Sequence, residues 1–310
     1  MIEVGLIVAR FLHYVAVTTL AGASFFPLYA CGGVEPGTSS RWRQGTLLAA
    51  AIVALLSGLL WFVFSVANMS GALADVTDPE VVWSVLHDTS FGKVWTVRMI
   101  LAIAALGLAS LRFASTRSNA RSLAMTVLAA ALLISLAGVG HSQVEEGIAG
   151  IVHVVSDAAH LLAAGAWLGG LVPLVSILSF HNRDRAVPSA TDLDEILMRF
   201  SGMGYVAVAT LVGSGLVNSW YLVGTVTGLL TTQYGQLLLA KLALFAGMLL
   251  LAVVNRFWLV PSMSKARKDG GTPSVWTGRL RAHVLGEQLL GLTVLAIVSV
   301  LGTIQPAIGQ

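Results

Sequence analysis

Three residues of this sequence stand at a spacing that ligand chemistry favours: His153, Asp157 and His160 follow at i, i+4 and i+7. On an α-helix that interval stacks all three on one face over two turns. Imidazole and carboxylate suit Cu(II), Zn(II) and similar ions, and the aspartate can instead sit behind a ligating imidazole and fix its tautomer. The bland alternative is two interfacial polar residues near a helix end and one packed histidine. His141 lies shortly before this ladder, across a stretch holding Glu145 and Glu146 that can gather cations. His13 echoes His160 far upstream, because each is followed nine residues later by a glycine, Gly22 or Gly169, and then by Pro27 or Pro173. Two such histidines can bind one metal ion or serve as axial ligands to a haem b. Arg98 and Lys241 are the cations nearest in kind to such a site; they can neutralise Asp157, hold haem propionates, or snorkel outward. His87 and Met69 complete the candidate ligands. Only Met69 and Met99 offer thioether on that side, so a copper site here is expected to be dominated by histidine, favouring Cu(II) or mixed ligation over a methionine-lined Cu(I) path.

The elements that must position these groups follow from composition. Of 310 residues, 56% are hydrophobic and 11% charged, against roughly 25% charged in an ordinary soluble domain. A bilayer core needs about 20 apolar residues per helix. Eight stretches satisfy this, at Gly5–Cys31, Gln44–Asn68, Gly92–Phe113, Ser122–Gly140, Gly150–Leu178, Phe200–Val226, Gly235–Trp258 and Val284–Ile304. The expectation is an all-α polytopic membrane protein of eight transmembrane helices. The first stretch starts without a Lys/Arg cluster and is too long for a signal-peptide core, so it is read as a retained helix. The lone cysteine, Cys31, permits no disulfide framework and reads as a small packing residue.

Positive charge sets the orientation. Fourteen of the eighteen Lys and Arg residues fall in the loops after helices one, three, five and seven. Such loops stay cytoplasmic, so both termini are expected outside. The basic stretch from Pro261 to Arg281 is then an inner loop facing anionic lipid and calls for no nucleic acid.

Internal repetition organises the helices. Besides the His13 and His160 match, helices two and six share Ser57-Gly58 and Ser214-Gly215. Helix three opens Thr89-Ser90-Phe91-Gly92 with Arg98 six residues after the glycine; helix seven opens Thr232-Gln233-Tyr234-Gly235 with Lys241 at the same interval. Two parallel four-helix halves are expected, 1–140 (its fourth helix 122–140) and 150–310, joined by an outer loop at 141–149. That pairing sets His13 opposite His160 and Arg98 opposite Lys241. Trp167, seven residues beyond His160, is expected to wall the same space.

Several motifs resemble one known family. The run from Asp157 through His160 and Trp167 to Gly170, the pair Gly140-His141, the segment Phe91-Gly92-Lys93-Val94-Trp95-Thr96-Val97-Arg98, Arg199-Phe200-Ser201, and Tyr234-Gly235 through Lys241 to Asn255-Arg256 resemble the CopD family of bacterial copper resistance membrane proteins. The resemblance spans nearly the whole chain. It implies an inner-membrane protein that handles a copper ion, moving it from periplasm to cytoplasm, with membrane lipid around it and a separate periplasmic copper-binding protein to deliver metal. It supplies no ligand set. A weaker likeness, one half at a time, to the haem-containing protoporphyrinogen oxidase HemJ keeps a haem b oxidoreductase linked to copper or quinone chemistry as the alternative. No nucleotide-binding loop is present in the sequence, so ATP hydrolysis by this chain is not expected to drive transport.

Overall fold

The computed structural model describes residues 1–32, 37–111, 119–137, 147–181, 190–269 and 273–309. These residues form helices α1 (Ile2–Tyr29), α2 (Gly37–Ser70), α3 (Pro79–Asp88), α4 (Ser90–Ser110), α5 (Asn119–Ile134), α6 (Gly147–Ala164), α7 (Leu171–His181), α8 (Ala190–Leu222), α9 (Val226–Thr231), α10 (Gln233–Val254), α11 (Val260–Lys268) and α12 (Pro273–Leu301). No strand occurs among the described residues. α6 runs into α7, and α10 into α11, through π-helical turns at Gly165–Gly169 and Asn255–Leu259.

Seven of the resulting rods are long and apolar enough to cross a membrane: Ile2–Tyr29, Arg41–Ser70, Ser90–Ser110, Gly147–Ser179, Leu193–Leu222, Gln233–Lys268 and Ser274–Leu301. The eighth stretch of the sequence reading is a shorter apolar helix, Ala120–Ile134, followed by a turn to residue 137. Residues 138–140 and the connecting segment with His141, Glu145 and Glu146 lie outside the described residues.

Two expected loops are largely helical. The outer segment carrying His87 forms α3, whose start is fixed by the Asp78 carboxylate accepting from the Glu80 N–H at 2.9 Å, with Pro79 just inside. The basic stretch from Pro261 to Arg281 is mostly α11 and the beginning of α12. Hydropathy marks where a chain turns polar, and Lys and Arg, being good helix formers, carry a helix past that point.

Apolar packing falls into two main clusters. One gathers α1, α2, α4 and α5 around Leu20, Leu47 and Leu132. The other gathers α7, α8, α11 and α12 around Leu171, Leu193 and Leu280, and takes Phe26 and Ala30 from α1. Helix α1 therefore belongs to both. It meets the π-helical turn at the closest approach in the fold: a Cβ on Gly22 would lie 1.9 Å from the Gly169 carbonyl carbon, and one on Gly169 would lie 2.2 Å from the Thr18 oxygen. Only two glycines allow these backbones to touch. Nearby, the Tyr29 hydroxyl donates to the Ala166 carbonyl at 2.9 Å.

The matched openings of α4 and α10 have a common physical cause. Thr89 Oγ1 accepts from the Gly92 N–H at 2.9 Å, and Thr232 Oγ1 accepts from the Gly235 N–H at 3.0 Å, each capping its helix. In both places the preceding short helix lies against the glycine. A Cβ there would come within 2.1 Å of the Val85 oxygen or 2.3 Å of the Leu229 oxygen.

Candidate functional site

The helix-five ladder is assembled as its spacing implies, and each rung has a partner on α8. His153 is buried and stacks on Tyr221, ring centroids 4.8 Å apart and planes 15° apart. Asp157 Oδ1 accepts from Asn218 Nδ2 at 3.2 Å. His160 Nδ1 lies 2.9 Å from Ser214 Oγ. Residues 214, 218 and 221 repeat the same interval on the antiparallel neighbour, so the two ladders interlock. Lys241 on α10 is electrostatically coupled to Asp157. Asn218 and Tyr221 were missed in the sequence, although their spacing alone could have flagged them.

His13 sits in the other half and is fully buried. Its Nδ1 is 3.0 Å from the Ala54 carbonyl and 3.2 Å from Ser57 Oγ. A carbonyl only accepts, so this nitrogen carries the proton and donates. Ser57 already donates to the Val53 carbonyl, which leaves its oxygen as a second acceptor. The same reasoning holds for His160, because the Ser214 hydroxyl is spent on the Thr210 carbonyl at 2.6 Å and its oxygen accepts from Nδ1. Both imidazoles are thus held through Nδ1–H, and in the neutral ring that leaves Nε2 as the nitrogen able to ligate a metal. His13 Nε2 is buried without a hydrogen-bond partner.

Around His13 lies a cationic and aromatic shell centred on Trp61. The imidazole meets the indole edge-on at 5.5 Å, Tyr14 at 5.8 Å, and the guanidinium carbons of Arg10 and Arg98 lie 5.1 and 4.8 Å from the ring centre. Arg98 does not snorkel. It is fully buried and donates from Nε and Nη2 to the hydroxyl and carbonyl of Ser135, at 3.1 and 2.6 Å, where α5 ends. Arg10 likewise donates to the Gly302 carbonyl beyond α12. Each arginine therefore meets the negative end of a helix dipole.

Met99, noted in the sequence only as a thioether on α4, lies near His13. A Cβ on Gly58 would stand 3.0 Å from Met99 Sδ and 3.4 Å from His13 Cε1, so thioether and imidazole share the space that this glycine leaves.

The remaining candidates stand apart from these groups. His87 is on the surface of α3, stacked on Trp83 at 3.7 Å with Nδ1 held by the Trp83 carbonyl at 3.1 Å. Met69 is exposed at the end of α2. Trp167 is buried in the 165–169 turn between α6 and α7, against Phe245 at 5.9 Å. His13 is engaged by α2 and His160 by α8. α1 closes on the 165–169 turn, while α6 packs mainly on α8 and α5. Among the described residues, no three His, Cys, Asp or Glu side chains gather closely enough to hold a metal ion.

Comparison with known proteins identifies the wider group. Residues 1–151 match the family described as copper resistance protein D-like, N-terminal domain, and residues 194–301 match copper resistance protein D. The inner membrane protein YebZ of Escherichia coli (strain K12) is 32% identical over 307 residues, covering 97% of this chain and 98% of that protein. Copper resistance protein D of Pseudomonas syringae pv. tomato is 32% identical over 305 residues, 97% and 96% of the two chains. The copper transport protein CutJ of Bacillus subtilis (strain 168) is 30% identical over 251 residues, 79% of this chain but 45% of its own length. No solved structure matches the chain. With a bundle of membrane-length helices, two matching family models and two near full-length relatives, the chain belongs to the copper resistance protein D family.

Proposed function

We propose that this membrane protein binds copper at the end of the bundle where α1 begins and passes it between two four-helix halves toward the basic end. The charge distribution supports an orientation with that first end outside the cytoplasm and both termini there. The matched Thr caps, the matched His–Ser bonds and the Gly22–Gly169 contact support two parallel halves joined near 141–149, with Ala120–Ile134 and its continuation as the eighth membrane helix. One observation supports the binding site: His13 and His160 each donate through Nδ1 to a serine or carbonyl of the neighbouring membrane helix, which leaves Nε2 of each ring for copper. His153 and Asp157 extend the second site outward. His141 and His87 belong to the approach, where a periplasmic copper-binding protein would deliver its metal.

Copper binding to the purified protein tests this. Wild type is expected to bind copper stoichiometrically, His160→Ala and His13→Ala each to lose affinity, and the double variant to lose copper accumulation in cells. Unchanged binding in the double variant would overturn the reading, as would a Soret band in the purified protein.

A further inference from the structure

A second polar site lies toward the basic end, away from every histidine discussed above. Glu287 on α12 is buried, 2% exposed, and its Oε1 is 2.6 Å from Asn255 Nδ2. Asn255 opens the π-helical turn between α10 and α11, a kind of irregularity that recurs at functional positions. Its Oδ1 is buried and has no hydrogen-bond partner. Both residues line a cavity of about 230 Å³ formed by α7, α8, α10 and α12, otherwise almost entirely apolar. Glu287 lies fourteen residues into α12, roughly 21 Å along it at about 1.5 Å per residue.

A carboxylate at such a place in a bilayer must find a partner or a function. One amide N–H is a thin shell for a full negative charge. The 2.6 Å separation is shorter than the usual N–H···O distance of about 2.9 Å and matches an O–H···O bond at about 2.7 Å. A half-turn of the Asn255 amide exchanges its oxygen and nitrogen. In one orientation the N–H donates to a carboxylate; in the other the orphaned Oδ1 accepts from a carboxylic acid. The pair thus holds one hydrogen bond in either protonation state.

The charged and titratable groups around Glu287 are few. Arg256 and Tyr205 line the cavity from the π-helical turn and from α8, and α7 contributes only apolar side chains there. α11 meets α12 through buried Met263, with its basic residues toward the helix end. His283 lies one turn away on α12. Arg10 of α1 meets α12 only at Gly302, and Lys241 of α10 is fourteen residues from Asn255. No carboxylate competes for the proton among these neighbours.

We propose that Glu287 is a proton-binding site whose loading and unloading, followed by rotation of the Asn255 amide, is coupled to copper movement. The step adds one proton from water to the carboxylate and returns it, with no change of oxidation state. The coupling rests on the reading that the protein moves copper; the proton site itself does not.

Two measurements test it. Infrared difference spectra of the purified protein between neutral and alkaline pH are expected to show the C=O band of a protonated carboxyl, lost in Glu287→Gln. In proteoliposomes, copper uptake by wild type is expected to respond to an imposed pH gradient. Glu287→Gln is expected to bind copper as wild type does and to lose that response. A band that persists in Glu287→Gln overturns the proton site. Wild-type uptake indifferent to the gradient overturns the coupling but leaves copper transport standing. A wild type that shows the band yet moves no copper overturns transport, and the coupling with it.

Discussion

Substituting Gly22 by alanine tests the contact through which α1 joins both apolar clusters. The added methyl would stand 1.9 Å from the Gly169 carbonyl carbon and 2.2 Å from its oxygen, where ordinary contact begins at 3.4 Å. The backbones must therefore separate by about 1.5 Å, and no side-chain rotation can relieve the clash because every opposing atom is main chain. Overpacking costs typically about 1–3 kcal/mol, and a rigid obstacle places this case near about 3 kcal/mol, roughly a hundredfold in the folding equilibrium. Gly213 is the control. It sits within α8 with nothing within 4 Å of an added Cβ, so alanine there is expected to stabilise by about 0.4–1 kcal/mol. Unfolding by sodium dodecyl sulfate in mixed micelles, followed by circular dichroism, reads both signs in one series. If Gly22→Ala is as stable as wild type, or gains as Gly213→Ala does, α1 and the 165–169 turn do not touch, and the packing of α1 against the second apolar cluster described above is refuted.

Two further outcomes bear on the ligands. Ser214→Ala removes the oxygen that accepts from His160 Nδ1–H, and loss of such an orienting partner typically lowers metal affinity about 10–100-fold; a chelator competition titration that finds no change would argue against His160 as a ligand. Met99→Leu nearly conserves volume and is expected to cost less than about 1.5 kcal/mol of stability. Its Cu(I) affinity should fall while Cu(II) affinity holds, because thioether is a soft ligand; equal affinities for both ions in wild type and variant would separate Met99 from the site.

Much of this architecture was readable in the residues because a bilayer imposes few choices. Apolar length marked the helices, and the Thr-x-x-Gly openings of α4 and α10 marked caps whose hydrogen bonds are local. The ladder of His153, Asp157 and His160 was legible for the same reason, since three residues on one helix need only the helix to be aligned. Contacts between helices were not. That Gly22 and Gly169 lie against each other, and not merely at like positions, depends on how two rods cross. The nearness of Met99 to His13 was not legible, because it arises through Gly58, a residue on a third helix. Glu287 escaped for a different cause: the last apolar stretch begins at Val284, which set the glutamate at a membrane edge, whereas α12 begins at Pro273 and carries it deep.

The surroundings of His13 and His160 differ, although both rings bond through Nδ1 to a neighbouring helix. One imidazole has a thioether and two arginines for neighbours; the other has a carboxylate, a second histidine and a lysine. Bonds from Nδ1 to the next helix recur in both and fix ring orientation, while the groups facing each Nε2 differ in softness and charge. On the proposed reading, a copper ion passing between the two imidazoles meets two unlike sites, and this inequality is what would give its passage a direction.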